Sequence, residues 1–368
     1  MNATRPIADA IAALEEAFPP ALQEKWDNSG LQTGNPHDAL TGILLAVDVT
    51  EATVDEAVSL GCNLIVSHHP LIFGGVRRLT GADATQRILI KAIRHGIAVY
   101  SAHTNADRAR AATSSLMADC LGLADRTVLV PAAGSLVKIV TYVPAAHAAA
   151  VRQAMFDAGA GCIGNYDCCS SNAPVTGTFR AGEGTHPFVG EPGRLHSEAE
   201  VRIETIAPEH CRRAVTAALC AAHPYEEPAF DIFPLLNDWG GCGYGVVGRL
   251  PEPMPKERFL AAVKERFGCG ALRFSDATAT TISRVAMCSG SGSEFIGRAM
   301  AAGAQAYVTA DVKYHSYFEA EGRMMIVDVG HYESEQFSKI LFRQALIKKM
   351  PTFAPCLSTV NSNPIKYY

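Results

Sequence analysis

The sequence lacks an uninterrupted apolar stretch of about 18 residues, the minimum expected for a membrane-spanning helix. Its beginning carries Asp9, Glu15 and Glu16, where a secretory signal peptide would be apolar throughout. It also lacks an excess of positive charge, because 32 Lys and Arg stand against 37 Asp and Glu, a formal net charge of −5. Nucleic-acid binders usually carry a basic balance or stripe. We therefore expect neither a membrane nor a nucleic acid as a partner.

Cysteine is present, but not in the pattern of a disulfide framework or a structural zinc site. The 11 cysteines are scattered, only Cys168 and Cys169 are adjacent, and no two are separated by two residues. Mostly buried thiols in a reducing compartment are a simpler interpretation than disulfides. The composition therefore predicts a cytoplasmic protein.

Both ends of the chain alternate short apolar segments with segments of helical character. The pattern predicts strands at residues 42–49, 63–67, 97–102, 285–288, 306–309 and 324–329, and helices at 6–17, 50–60, 84–95 and from just after Gly330 to about Lys349. Short strands separated by helices of this length indicate βαβ units. We therefore predict an α/β fold, a largely parallel sheet with helices on both faces, built from the N- and C-terminal segments.

The middle of the chain follows a different pattern. Residues 136–233 read strand, helix, polar loop, strand, helix, strand, an order typical of a ferredoxin-like α+β domain. Residues 182–196 are rich in glycine and proline and predict a long loop, whereas 131–134 and 237–245 resemble hinges. These boundaries predict one domain of residues 1–132 and 242–368, with an inserted domain of residues 133–241.

Potential metal ligands follow three of the predicted strands. They are His68 and His69 after residues 63–67, His103 and Asp107 after 97–102, and His331 and Glu335 after 324–329. Functional groups gather beyond the carboxyl ends of parallel strands. We therefore expect all three sets to lie along one edge of one sheet.

The local spacing of these residues supports a metal site. His331 and Glu335 are four residues apart, so they share one helix face. His68 and His69 would point to opposite faces of a regular strand, but at a strand end both can turn toward neighbouring ions. A lone His-His pair is more often incidental, and a His/Glu pair at this spacing is more often a surface pair. Their joint occurrence at three strand ends favours metal binding.

The number of ligands indicates two ions. One catalytic zinc takes about four ligands including an open position, so five residues are too many. Two ions need a bridging carboxylate and solvent to complete their coordination. Imidazole and carboxylate ligands suit zinc, iron, manganese or cobalt. We therefore predict two divalent metal ions per chain, zinc being the first choice, held by His68, His69, Asp107, His331 and Glu335.

Other residues are candidates for supporting roles. Asp311 could orient a ligand histidine through its second ring nitrogen, while Lys313 and His315 could hold a substrate anion or transfer a proton. The alternative is a solvated loop cluster. His103 could orient a ligand, act as a further ligand or take part in catalysis. Asp27 and Asn28 could bind substrate in the pocket or form a polar turn.

Two short motifs allow two interpretations each. Residues 289–293 (SGSGS) precede a predicted helix and could cradle a phosphate, but they lack the Lys-Ser/Thr ending of a Walker P-loop, which favours a simple strand-to-helix turn. Residues 223–228 (HPYEEP) contain possible metal ligands, but a structured loop is the simpler interpretation.

Five segments resemble the Nif-three-like family, many of whose members are catalogued as GTP cyclohydrolase type 2 homologues. They are residues 26–34 (WDNSGLQTG), 67–71 (SHHPL), 102–107 (AHTNAD), 309–315 (TADVKYH) and 330–335 (GHYESE). The resemblance implies that the five residues named above are ligands of a dinuclear metal site. It also implies a homohexamer, a trimer of dimers whose sites face an internal cavity. Some members carry an inserted domain similar to the PII and CutA proteins, and the middle of this chain looks like that insert. The family's usual Thr-Gly-Asp is Thr-Ala-Asp at residues 309–311 here.

Two functions fit this pattern. The first is a metal-dependent hydrolase, of cyclohydrolase or phosphoesterase type, acting on a nucleotide or other small anionic metabolite through water activated by the ions. The second is a non-catalytic metal-binding or regulatory protein, which stores or delivers metal and recruits a partner through the insert. Open coordination positions and a roomy anion-binding pocket would favour the enzyme.

Overall fold

The computed structural model describes residues 5–368, and the chain divides into two compact units. Unit 1 consists of Met1–Val130 and Cys242–Tyr368, and unit 2 consists of Pro131–Gly241. Unit 1 is therefore discontinuous in sequence, as is expected when one compact unit is inserted into another.

The N-terminal part of unit 1 alternates helices and short strands. Its elements are α1 (Ile7–Ala17), β1 (Gly30–Thr33), β2 (Ile43–Ala46), α2 (Glu51–Ser59), β3 (Leu64–Ser67), α3 (Ala84–Arg94), β4 (Ala98–Ser101), α4 (Thr104–Arg108), α5 (Thr113–Leu121) and β5 (Ala124–Ala132). Side-chain caps fix the helix starts: Thr50 and Thr53 form a reciprocal capping box at α2, and Asp83 accepts from the Gln86 amide at α3.

In the sequence, unit 2 is the continuous segment Pro131–Gly241. It contains β6 (Leu136–Pro144), α6 (Ala148–Asp157), β7 (Ser170–Arg180), β8 (Leu195–Pro208), α7 (Arg212–Ala222) and β9 (Phe230–Pro234). The four strands form one sheet in the order β7-β8-β6-β9, and each neighbouring pair is antiparallel. Its core joins α6 and α7 to the sheet through Val151, Met155, Val215 and Leu219.

The C-terminal part of unit 1 contains ten further elements. They are β10 (Trp239–Pro255), α8 (Lys256–Phe267), β11 (Arg273–Phe274), β12 (Thr281–Ser291), α9 (Ile296–Ala301), β13 (Ala306–Ala310), β14 (Met325–Asp328), α10 (His331–Glu335), α11 (Ser338–Lys349) and β15 (Cys356–Leu357).

Unit 1 contains two sheets, so the prediction of a single sheet is wrong. The first has the order β1-β4-β3-β2-β15 and the second the order β11-β14-β13-β12-β10-β5. Strands β15, β2, β3 and β4 pair in parallel, as do β12, β13 and β14. Antiparallel pairs join β1 to β4, β10 to β12 and β11 to β14. Hydrophobic periodicity identifies strands but does not identify their partners, so it could not separate two sheets.

The short central strands of the first sheet are buried on both faces. All four residues of β2, β3 and β4 are buried. Helices α2 and α3 pack on the sheet through Val54, Ala57, Ile88 and Ala92, and α11 packs against β2. This enclosure explains why these strands read as continuous apolar runs.

Two local predictions differ from the structure. The helix expected after Gly330 is broken, since α10 ends at Glu335 and α11 begins at Ser338. The hinge expected at residues 237–245 belongs largely to a strand, because β10 begins at Trp239. The loop expected at 182–196 is present, except that Leu195 and His196 already belong to β8.

Among residues 5–368, no helix is long and apolar enough to cross a membrane.

We predict that Leu64→Ala destabilises unit 1 by about 2–5 kcal/mol, because Leu64 is fully buried in β3 and truncation leaves a cavity. The matched control is Leu60→Ala, four residues earlier, where the side chain is 51% exposed and a change below about 1 kcal/mol is expected. Urea unfolding of both variants measures the difference. Equal destabilisation by the two substitutions would contradict the assigned burial.

Candidate metal centre

The ligand candidates lie where parallel strands end. His68 and His69 directly follow β3, and Asp107 lies in the short helix after β4. His331 and Glu335 are the first and last residues of α10, which follows β14. The strand-end prediction therefore holds for each set separately, but the sets come from two sheets instead of one edge of a single sheet.

The structure brings these side chains together. Three overlapping groups have their potential ligand atoms within 4.8 Å of one another: His68, His69 and His103; His69, His331 and Glu335; and His68, Asp107 and Glu335. Two groups share Glu335 and two share each of His68 and His69. The cluster can therefore hold a metal ion, and its chemistry is that of mixed imidazole and carboxylate ligands.

Glu335 occupies the centre of the cluster and is only 3% exposed. Its Oε1 lies 3.6 Å from His68 Nε2. Its Oε2 lies 2.8 Å from His69 Nε2 and 3.0 Å from His331 Nε2. The two oxygens of one carboxylate thus face different histidines.

A glycine makes room for this carboxylate. Gly290, at the end of β12, has φ +61, and a Cβ built there would overlap Glu335 Oε1. Its amide donates to Ser334 Oγ at 2.8 Å, which fixes the strand end against α10. The site therefore needs glycine at position 290 for both its left-handed backbone and the space that it leaves.

Each histidine of the cluster is oriented through its Nδ1 atom. Nδ1 lies 3.1 Å from the Ala102 carbonyl in His68, 2.7 Å from Asp48 Oδ1 in His69, 2.8 Å from Asp27 Oδ1 in His103 and 2.7 Å from Asp311 Oδ2 in His331. An Nδ1–H that donates to these acceptors leaves Nε2 as the lone-pair nitrogen. Metal-ligating histidines are commonly held in this way.

The sequence pattern predicts only one of the three carboxylates that orient the histidine rings. The contact expected between Asp311 and a ligand histidine is present at His331. Asp27, considered as a substrate-binding residue or part of a turn, instead holds His103 and Thr104. The sequence pattern does not single out Asp48, because the predicted strand of residues 42–49 contains it, whereas β2 ends at Ala46 and leaves Asp48 beyond the strand end.

Asp107 and His103 complete the cluster. Asp107 is 8% exposed, its Oδ2 lies 3.6 Å from His68 Nε2, and its Oδ1 accepts from Ser289 Oγ at 3.2 Å. Burial raises the pKa of Asp27, but hydrogen bonds from His103 and Thr104 outweigh this effect and leave the pKa well below its usual range. Asp27 is therefore an anion that fixes the His103 ring.

The electrostatics of the cluster favour positive charge at the imidazole nitrogens. Burial lowers the pKa of His69, yet Asp48 and Glu335 outweigh it and raise the pKa to about 10. Burial likewise opposes charge on His331, while Asp311 and Glu335 raise its pKa to about 11. Within the described chain, the buried His68 Nε2 makes no hydrogen bond, and Glu335 Oε2 faces only the Nε2 atoms of His69 and His331. A divalent cation would satisfy both, so the residues fit a metal.

The cluster opens into a cavity of about 770 Å³ within unit 1. Trp26, Phe73, Tyr244 and Phe295 supply aromatic lining, and the polar lining includes His69, His103, Asp107, His331 and Glu335 together with Asp48 and Glu294. No Lys or Arg is among the described residues that line it. An anionic ligand in this cavity would therefore depend on bound cations for its counter-charge.

Five predicted substrate-binding or catalytic candidates do not line this cavity: Asp27 and Asp311, which orient His103 and His331, and Asn28, Lys313 and His315. Lys313 and His315 are exposed beside the short 3-10 helix Tyr314–Ala320, where the His315 ring contacts Tyr314 and Phe318. Asn28 is exposed and donates to the Ile72 carbonyl at 2.6 Å, a contact typical of a polar turn.

Residues 289–293 lead from the end of β12 into a short 3-10 helix at Ser293–Phe295, and three of their amides are already used. The amides of Ser289, Gly290 and Gly292 donate to Ser114, Ser334 and Thr309 hydroxyls, respectively. These contacts support the simple-turn interpretation over a phosphate cradle.

The fold and the histidine–carboxylate cluster define a mixed α/β protein with a candidate metal centre, and comparison with known proteins identifies its family. Residues 6–364 match the family described as Duf34/NIF3 (NGG1p interacting factor 3). A relative from Halalkalibacterium halodurans, called "GTP cyclohydrolase 1 type 2 homolog", is 42% identical over 87% of this chain and 87% of its own length. A relative from Mycobacterium tuberculosis with the same name is 41% identical over 89% of this chain and 88% of its own length.

Solved structures give the same result. A Bacillus cereus protein related to NIF3 superposes with a TM-score of 0.87 at 37% identity, covering 99% of this chain and 100% of its own. A Staphylococcus aureus protein gives a TM-score of 0.78 at 28% identity, covering 99% of both chains. The chain belongs to the Duf34/NIF3 family, which confirms the resemblance drawn from the five sequence segments.

We predict that Asp48→Asn weakens metal binding by about 10- to 100-fold, because the amide no longer holds His69 Nδ1 with a full negative charge. The matched control is Asp55→Asn, in the helix that follows, where the carboxylate is exposed and pairs with Lys91. Competition of each protein with a zinc-chelating dye measures the affinity. An unchanged affinity in Asp48→Asn would contradict the orienting role.

Proposed function

We propose that the chain binds two divalent metal ions side by side, with Glu335 as the carboxylate that bridges them. The observation that carries this proposal is that the two carboxylate oxygens of Glu335 face different histidines. Oε1 faces His68, whereas Oε2 faces His69 and His331. Asp107 would join His68 and Glu335 at one position, and His69 and His331 would join Glu335 at the other. His103 is a further candidate ligand, because one of its ring nitrogens lies within the His68–His69 group.

The zinc, iron, manganese or cobalt ions that suit these ligands supply Lewis acidity and lower the pKa of water in two-metal hydrolytic sites. The residues of the chain orient the ligands, line the cavity and provide a group for proton transfer. Asp48, Asp311 and Asp27 keep the histidine rings oriented, and the aromatic lining gives the cavity an apolar wall. His103, held by Asp27 at the cavity wall, is placed to move a proton.

We infer that the protein is a metal-dependent hydrolase acting on a nucleotide or another small anionic metabolite. The cavity of about 770 Å³ is large enough for such a molecule. Its lining offers no described Lys or Arg, so anionic groups would be drawn to the metal pair itself. The relatives' shared name supports ring opening of a GTP-like purine as one version, and phosphoester hydrolysis suits the same ligands equally.

The proposal extends to the architecture. In it, unit 1 is a largely parallel α/β domain, and unit 2 is an inserted ferredoxin-like domain of the PII and CutA type. The strand-helix order of unit 2 and its antiparallel sheet support this assignment. The working form would be a cytoplasmic homohexamer, a trimer of dimers, as the family resemblance implies.

The alternative is metal storage or delivery, with unit 2 recruiting a partner. The observation that favours it is the acidic lining, since Asp48, Asp107, Glu294 and Glu335 attract cations in preference to an anionic substrate. The two functions differ in whether metal-loaded protein turns over a substrate.

We predict that wild-type protein loads two metal ions per chain and that Glu335→Gln loads at most one. The amide keeps the shape of the side chain but lacks the charge and the second anionic oxygen that a bridging ligand needs. Plasma emission analysis after zinc loading and desalting measures the count. Glu319→Gln, at an exposed position in the 3-10 helix Tyr314–Ala320, is the control and should retain two. Wild-type protein that loads one ion would contradict the dinuclear assignment.

We also predict that metal-loaded protein hydrolyses at least one member of a panel of nucleotides and phosphoesters. His68→Ala should then lower kcat/KM by about 100-fold or more, since loss of metal catalysis costs several kcal/mol. Lys339→Ala, outside the cavity lining, serves as the control. Turnover that survives His68→Ala and chelation would contradict hydrolysis by the metals. Two bound ions without turnover of any substrate would favour the storage function.

A further inference from the structure

Unit 2 contains a cavity of its own, of about 580 Å³. Strands β7 and β8 and residues 225–229 form its walls, and it shares no lining residue with the metal cavity. A volume of this size accommodates a small organic molecule. The cavity is therefore a candidate binding site whose lining is separate from that of the metal cavity in unit 1.

The register of β7 and β8 builds one wall of the cavity. Val175 pairs with Glu200, Gly177 with Glu198 and Phe179 with His196, so these residues share one face of the ribbon. A Cβ at Gly177 would overlap the Glu200 carboxylate. Because Gly177 has no side chain, the Glu200 carboxylate can lie over β7 at this position.

Glu200 is a buried carboxylate without a cationic partner. It is 7% exposed and lines the cavity. Tyr225 donates its hydroxyl to Oε1 at 2.8 Å, and Oε2 makes no hydrogen bond to any described residue. No described Lys, Arg or His forms an ion pair with Glu200. Burying a carboxylate charge without a cationic partner has an unfavourable desolvation free energy, which a bound cation would offset.

The nearby His223 does not supply that compensation. Its Nε2 donates to the Tyr142 carbonyl at 2.9 Å, and its Nδ1 accepts from the Tyr225 amide at 3.1 Å. Burial lowers the pKa of His223, which keeps the ring neutral. Within residues 223–228, this histidine is a structural residue that places Tyr225 beside Glu200, in agreement with the structured-loop interpretation.

Aromatic rings form the rest of the wall. The Tyr225 ring lies 6.0 Å from Phe179 and 6.3 Å from Phe188 between centroids, so the three rings form one continuous surface. Glu226 and Glu227 add negative charge at this cavity, and Arg180 is the single Arg or Lys among its described lining residues. Aromatic faces together with excess carboxylate attract organic cations through cation–π and ionic interactions.

We propose that the unit 2 cavity binds a small organic cation, an ammonium group on an apolar body, with Glu200 as its counter-charge and Tyr225, Phe179 and Phe188 as its aromatic wall. The acidic and aromatic lining disfavours an anion such as a nucleotide. Unit 2 would thus respond to a ligand of opposite charge to the substrate class proposed for unit 1.

The test uses the full chain and three probes that share a phenyl group and differ in charge: 2-phenylethylammonium, 2-phenylethanol and 3-phenylpropanoate. Ligand-observed saturation-transfer NMR titrations measure their affinities. We expect the ammonium to bind at least about tenfold more tightly than the alcohol, and the carboxylate to bind least. Equal affinities for the ammonium and the alcohol, or no binding of the ammonium at millimolar concentration, would overturn the proposal.

Variants locate the binding. Glu200→Gln, which can still accept from Tyr225, should weaken ammonium binding at least about tenfold and reduce the preference over the alcohol. Glu204→Gln is the matched control on the same strand, where the carboxylate pairs with Lys138 and Arg202. Phe188→Ala, at a side chain 51% exposed, tests the wall without disturbing the core and should weaken binding severalfold. Full ammonium affinity in folded Glu200→Gln and Phe188→Ala would refute the site.

Discussion

The position of one carboxylate, Glu335, organises the candidate metal centre. Its two oxygens face histidines that arrive from different parts of the chain, since His68 and His69 follow the first sheet and His331 lies on the same short helix as Glu335. That helix has only five residues, and its ends are the two ligand candidates. The break after Glu335 thus separates the short ligand-bearing helix from α11, which packs against the first sheet.

Three further carboxylates fix the orientation of histidine rings in the cluster. Asp48, Asp27 and Asp311 each hold the Nδ1 atom of one histidine, and the Ala102 carbonyl holds the fourth. These contacts fix the ring orientations within the protein itself. They also surround the ring nitrogens with negative charge, which explains the raised pKa values of His69 and His331 and the fit to a divalent cation.

A glycine makes room for a buried carboxylate at both cavities, although the proposed ligands differ. In unit 1, Gly290 leaves room for the Glu335 carboxylate, and in unit 2, Gly177 leaves room for the Glu200 carboxylate. Glu335 is surrounded by histidines and suits an inorganic cation, whereas Glu200 faces aromatic rings and suits an organic one. In both places a glycine allows a buried carboxylate to lie against a strand.

The sequence by itself determined the local elements and the chemistry of the site. Apolar runs located β2, β3, β4, β13 and β14, and the residues after β3, β4 and β14 supplied the metal-binding candidates, because strand period and strand-end position are local properties. Only the tertiary structure decided that two sheets, not one, meet at the cluster, since strand partners depend on contacts distant in sequence. It likewise decided that Asp48 orients His69 and that Lys313 and His315 lie outside the cavity, because the direction of a side chain beyond a strand end depends on the packing around it.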